Sequence, residues 1–211
     1  MSTPPHATGD AASITTGADA TPRATSAKII VAGGFGVGKT TLVGAISEIT
    51  PLTTEEVMTA PSAAVDDTRL VPDKTTTTVA MDFGRITIDP TLILYLFGTP
   101  GQDRFAFMWD ELFHGAIGAV VLADTRRLED CFAAVDYAEA RRLPYVVALN
   151  QFPGAPTYDL DEVRQALRVP DPVPLVTCDA RNRDDVRLTL IDLVEHVLDR
   201  RRRPALALPI S

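Results

Sequence analysis

The 211-residue sequence predicts a three-layer α/β domain on a mostly parallel six-stranded sheet, and three observations carry that expectation. Short, uninterrupted apolar runs, the mark of parallel strands covered on both faces, alternate with segments whose apolar residues recur at helical spacing. The first run, Lys28-Ile29-Ile30-Val31-Ala32, opens into Gly33-Gly34-Phe35-Gly36-Val37-Gly38-Lys39-Thr40 and then a helical pattern. Finally, Asp89-Pro90-Thr91 joins two later runs into a hairpin, which puts one antiparallel strand at the sheet's edge.

Residues 1–27 are mostly Ala, Thr, Ser, Gly and Pro. They carry too few large apolar side chains to offset the entropy of ordering, so they read as a disordered leader. The domain is expected over 28–203, with 204–211 a short tail. The loop from Gly33 to Thr40 has the form G-x-x-x-x-G-K-[ST] between a strand and a helix, the setting in which it cradles phosphate. Glycines let successive N–H groups face phosphate oxygens, and the helix adds its positive N-terminal end. Lys39 is expected to reach the outer phosphates and to act in catalysis. Thr40 offers a hydroxyl to a bridging Mg²⁺, and Thr41 continues the nucleotide-binding segment.

Leu42, Ile46 and Ile49 give the following helix, which Pro51 ends. From Pro51 to Thr78 the chain is polar and without a period, with Thr54 to Met58 as a turn of helix; so long a connection points to function or mobility. Val79, Met81 and Phe83 then alternate with Ala80, Asp82 and Gly84 before the apolar phase moves to Ile86 and Ile88, a half-buried strand bulged near Gly84. Leu92 to Phe97 is its hairpin partner. Ile117 to Ala123, Tyr145 to Leu149 and Val173 to Thr177 complete the six strands. Between and after them lie helices containing Leu128, Cys131, Val135 and Ala138, then Asp159 as an N-cap ahead of Val163 and Leu167, then Val186, Leu190, Val194 and Val197.

The composition narrows the function. A net charge of −8 repels a polyphosphate backbone, and no basic face stands out, which sets nucleic acid aside. Cys131 and Cys178 are the only cysteines, and their patterns suit buried free thiols of a reducing compartment, so a cytoplasmic location is expected. No apolar run approaches a membrane span.

The residues after the third apolar run separate the phosphate-loop classes. Phe97-Gly98-Thr99-Pro100-Gly101-Gln102 resembles the second switch of Ras-like small GTPases, and Thr78-Val79-Ala80-Met81-Asp82-Phe83 is similar to their first switch. The proline in the former and the Asp-Phe in the latter look most like bacterial MglA-like proteins, the actinobacterial conservon GTPases in particular. The resemblance covers roughly 28–200 and implies a small G-protein form of the P-loop NTPase fold that binds GTP or GDP with Mg²⁺. It makes Gly101 a sensor of the terminal phosphate, Gln102 the orienter of the attacking water and Thr78 the second Mg²⁺ ligand. It implies as partners a roadblock-domain protein and a sensor kinase of the same gene cluster, with membranes reached only through partners.

Three departures accompany the match. The strand-end aspartate that holds Mg²⁺ through water is here Gly98. The guanine-reading N-K-x-D is Asn150-Gln151-Phe152-Pro153, which keeps the asparagine and loses the carboxylate, weakening base choice. Asp179-Ala180-Arg181 resembles the third base-contacting segment; there the Ala180 N–H is placed to mark guanine O6, and Asp179 is one alternative source of the lost carboxylate. Phe35 stands where the family has glycine, and its ring is expected to crowd the neighbourhood of Gln102 and slow hydrolysis. A nucleotide-holding scaffold with negligible turnover, or a P-loop ATPase or kinase of relaxed base choice, are the alternatives.

The remaining candidates have plainer readings beside the functional ones. Arg200 to Arg203 suit a helix C-terminus as well as an anionic surface. Asp124 either meets the ligand or caps a turn. His114 and His196 lack partners at metal spacing and read as surface or packing residues. Trp109, Phe105 and Phe107 divide between core and partner surface.

Overall fold

The computed structural model describes residues 24–58, 77–101 and 107–202. Its strands are β1 (Thr25–Ala32), β2 (Leu52–Met58), β3 (Thr77–Asp89), β4 (Leu92–Gly98), β5 (Ala116–Ala123), β6 (Tyr145–Asn150) and β7 (Leu175–Cys178). The helices are α1 (Lys39–Ile46), α2 (Trp109–Phe113), α3 (Phe132–Ala140), α4 (Leu160–Leu167) and α5 (Arg183–Arg202). One sheet holds all seven strands in the order β2-β3-β4-β1-β5-β6-β7. From β4 through β7 neighbours run parallel, and β3 pairs antiparallel with both β2 and β4.

The expected class and all six expected strands are present, and β2 adds a seventh outside them. Its pairing, from Leu52↔Phe83 to Met58↔Thr77, replaces the helical turn expected at Thr54 to Met58 and moves the antiparallel strand one place in from the edge. Two other expectations are corrected. Helix α1 stops at Ile46, where Ser47 is extended, so Ile49 is outside it. In β3 the irregularity lies between Thr87 and Asp89 instead of near Gly84. The residues of β3 that face α1 are Asp82, Gly84 and Ile86, all buried. A Cβ on Gly84 would stand 2.7 Å from the Val43 side chain, so glycine is what lets this strand lie against the helix.

Strands of near-continuous apolar residues need cover on both faces, and two clusters provide it. On one face Ile29, Val31, Leu96 and Val120 meet Leu42, Val43 and Ile46 of α1 and Val186, Leu190 and Leu193 of α5. On the other Ile30, Val121, Val147 and Leu149 meet Trp109 and Phe113 of α2, Val135 of α3 and Val163 of α4. With β1 at the centre, the loops after β1, β4, β5, β6 and β7 gather at one edge of the sheet, outside the carboxyl ends of the strands. Cys131 and Cys178 are buried free thiols, as expected. Among the described residues no helix is long and apolar enough to cross a membrane.

Candidate functional site

The site is built from that edge outward. Strand β1 delivers its chain end into the glycine loop, and Gly38, with φ of 106° in the left-handed region, turns it into α1. No L side chain fits there comfortably, because an added Cβ would also lie 2.5 Å from Asn150 Nδ2. None of the N–H groups from Gly36 to Thr41 takes part in a backbone–backbone hydrogen bond among the described residues. A row of unspent donors at a helix start is an anion site.

Lys39, only 8% exposed, donates from Nζ to the carbonyls of Gly33 at 2.8 Å and Gly34 at 2.7 Å. Burial pushes its pKa down to about 8, against a smaller opposing pull from the Asp82 carboxylate. The ammonium is thus short of negative charge, which is the electrostatic condition for drawing a phosphate. Thr99 and Gly101 follow β4, and a Cβ on Gly101 would come within 2.7 Å of Lys39 Nζ, 2.9 Å of Phe35 Cα and 3.0 Å of the Gly34 carbonyl. Gly101 therefore rests directly on the phosphate loop. It is the backbone of Phe35 that touches it, and the residue itself is 65% exposed; the expected crowding concerns Gln102, which is outside the described residues.

The residue the sequence reading missed is Asp82. Its carboxylate, 7% exposed, accepts a 2.7 Å hydrogen bond from Thr40 Oγ1. Asp82 pairs with Gly98 across β3 and β4, and a Cβ on Gly98 would stand 2.9 Å from Asp82 Oδ2. A carboxylate from the neighbouring strand thus stands beside position 98, and Gly98 leaves the room it needs. Thr40 and Asp82 together present the hard oxygen donors that Mg²⁺ takes alongside phosphate. An aspartate on the apparently polar phase of a half-buried strand was the available signal, hidden because that phase reads as solvent-facing. Thr78 lies in β3 opposite Val57; Gln102 and Phe105 lie outside the described residues.

A second group of loops continues the site. Asn150, at the end of β6, donates from Nδ2 to the Val37 carbonyl at 2.8 Å and accepts at Oδ1 from the Ala180 N–H at 3.0 Å. That N–H, expected to mark a purine oxygen, is here spent on Asn150. Beyond it lies a cavity of about 370 Å³ lined by Thr125, Gln151, Phe152, Tyr158 and Thr177, and no described lining residue is acidic. Where the guanine-reading motif would bring its carboxylate, Phe152 to Ala155 form a tight turn closed by Ala155 N–H to Phe152 O. Pro153 and Gly154, the latter at φ of 75°, occupy its central positions, a type II arrangement.

Asp179, the alternative source of that carboxylate, is paired in the free protein. Arg181 holds it from Nε at 2.8 Å and Nη2 at 2.7 Å, which lowers its pKa to about 2. Asp124 is likewise engaged: buried, it accepts from the Arg126 backbone and guanidinium, and Arg126 stacks 4.1 Å above the Phe152 ring. The aspartate both closes the turn after β5 and braces the cavity wall. His114 is exposed, while His196 is buried; Trp109 is in the core and Phe107 is exposed. Arg200 to Arg202 form the last turn of α5.

A family model described as conserved hypothetical ATP binding protein matches residues 31–200. An uncharacterized protein of Methanocaldococcus jannaschii is 30% identical over 126 residues, which are 59% of this chain and 69% of that protein. Among solved structures, the cytosolic domain of the T. maritima FeoB iron transporter in GDP form I is similar, with a TM-score of 0.58, 17% identity and 82% of this chain covered. The same domain in its apo form gives 0.56, 16% and 89%. This chain spans 64% of the first of those chains and 68% of the second. The likeness is one of fold, the α/β fold of P-loop NTPases.

Proposed function

The chain belongs to the family of conserved hypothetical ATP-binding proteins, a P-loop nucleotide-binding family, and on that premise we propose that it is a molecular switch that binds GTP with Mg²⁺ and hydrolyses it slowly. The observation that carries the reading is the convergence of Lys39, Thr40, Asp82 and Gly101 on one phosphate loop. A kinase or ATPase loop needs the first two. A glycine from the strand-end loop resting on the lysine is what lets a third phosphate be felt, because that phosphate must meet both.

In this mechanism the unspent N–H groups from Gly36 to Thr41 and the Lys39 ammonium bind the phosphates and offset their charge. Thr40 and Asp82 would hold Mg²⁺, with Thr78 as a further protein ligand, and the ion would supply screening of the outer phosphates. Gln102 orients water. Gly101 moves with the terminal phosphate and carries the second switch with it, the form of order change by which such proteins signal. The further proposal is that the protein is of the MglA-like, conservon type: cytoplasmic, working with a roadblock-domain protein and a sensor kinase, and meeting membranes only through them.

A second reading, relaxed base choice with ATP accepted, is favoured by the Pro153 turn and by the capture of Asp179. The nucleotide that copurifies, and multiple-turnover phosphate release from GTP and ATP with and without Mg²⁺, separate the two. Guanine nucleotide in the protein and release confined to GTP support the switch. Equal release from ATP moves the assignment to the second reading, and the absence of any nucleotide affinity refutes both.

A further inference from the structure

Arg127, on the loop after β5, makes a contact for which neither the motif nor the family match has a use. Its Nη2 donates to the Phe35 carbonyl at 2.8 Å, and its Nη1 lies 3.4 Å from Asp130 Oδ2. The guanidinium therefore stands outside the phosphate loop with a carboxylate beside it. The next residue is Gly36, at φ of 72°, and a Cβ there would meet only Arg127 Nη2, at 3.9 Å.

Those facts bear on one peptide plane. The Phe35 carbonyl and the Gly36 N–H belong to the same trans peptide and point in opposite directions. Whatever holds the carbonyl outward turns the N–H the other way. Glycine at the second position of such a turn tolerates either orientation of the preceding peptide, since φ of either sign costs it little. Left alone, this peptide can turn over, presenting a carbonyl oxygen where an anion site needs a donor.

We propose that Arg127 is a positioning residue for the nucleotide, gripping the Phe35–Gly36 peptide from outside so that the Gly36 N–H stays directed at the phosphates. It touches no phosphate itself. Asp130 pairs with the guanidinium from the solvent side, and Lys39 remains the cation inside the loop. This inference rests on the phosphate-site reading above and adds to it an element that the loop motif does not contain.

The test uses the full chain as wild type, Arg127→Ala, Arg127→Lys and Lys39→Ala. Affinity for GTP and GDP is measured by calorimetry, and the Gly36 amide proton and Phe35 carbonyl carbon are followed by NMR as nucleotide is added. Wild type is expected to bind, with the Gly36 amide moving downfield as it donates to phosphate. Arg127→Ala is expected to lose affinity tenfold or more, about 1.4 kcal/mol, with the Phe35 carbonyl shifted in the free protein and the Gly36 response lost. Arg127→Lys, which retains a cationic donor, recovers part of the affinity. A merely structural role would lower the unfolding temperature and leave the Gly36 response intact. Wild-type affinity together with a wild-type Gly36 response in Arg127→Ala overturns the proposal. Failure of the wild type to bind either nucleotide overturns the site reading beneath it, and undiminished binding by Lys39→Ala would move the phosphate site elsewhere.

Discussion

Lys39 carries its charge at a cost until an anion arrives. In the free protein its pKa is lowered to about 8, so the unfolded chain holds that proton more tightly than the fold does. Stability of the ligand-free protein is therefore expected to rise as pH climbs from about 8 toward the ordinary lysine value, and Lys39→Met removes the rise; denaturant titrations across that window check it. Phosphate reverses the preference, so nucleotide binding above about pH 8 should take up a proton, seen as a buffer-dependent calorimetric enthalpy. Asp82 supports a second prediction. Asp82→Ala should weaken Mg²⁺-dependent triphosphate binding on the order of tenfold or more, about 1.4 kcal/mol, while metal-free diphosphate binding changes little. Gly98→Asp alone should not help, because its Cβ would sit 3.0 Å from the Asp82 Cβ and bring two carboxylates together. The exchange Asp82→Gly with Gly98→Asp should recover part of the loss. Titration of Mg²⁺ against bound fluorescent nucleotide reads all three, and full Mg²⁺ dependence in Asp82→Ala would remove it from the metal site.

Legibility in the sequence depended on what kind of constraint each element obeys. The phosphate loop was plain because its chemistry demands particular residues at fixed spacing, and Asp159 because a cap is a local event: its Oδ1 accepts from the Asp161 N–H at 2.8 Å. Asp159→Ala is expected to cost about 1 kcal/mol and lower the melting temperature by roughly 2–4 °C, with Asp159→Asn nearly neutral in the same scan. Strand β2 was opaque for the opposite reason. Its sequence, Leu-Thr-Thr-Glu-Glu-Val-Met, has no apolar alternation, and it is a strand because β3 offers an edge with unpaired backbone groups. Pairing of that kind depends on a partner far along the chain, which no local pattern records. The position of Asp82 was hidden by the same route, since only the register of β3 on β4 shows that it faces Gly98.

For the whole molecule, class was readable and arrangement was not. Buried strands announce themselves by continuous apolar runs, whereas the central place of β1 follows from which strands pair, and so from contacts between distant segments. That arrangement puts the loops of the candidate site on five different strand ends, so ligand and fold are expected to stabilise one another. Saturating nucleotide at about 1,000 times its dissociation constant should add about 4 kcal/mol and raise the melting temperature on the order of 10 °C. Lys39→Ala should abolish that shift without unfolding the protein, and a shift that survived would mean the ligand binds elsewhere.

Asn150 gives the site a property that a roll of its contacts does not convey. One amide group spends its donor on the glycine loop and its acceptor on the segment after β7, so neither half can shift without straining the other. Ribose-linked base and pyrophosphate offered as separate molecules should then help each other bind, each finding the far half steadied by its companion. An aspartate in place of Asn150 would set a negative oxygen against the Val37 carbonyl, and the two fragments would become strangers to one another.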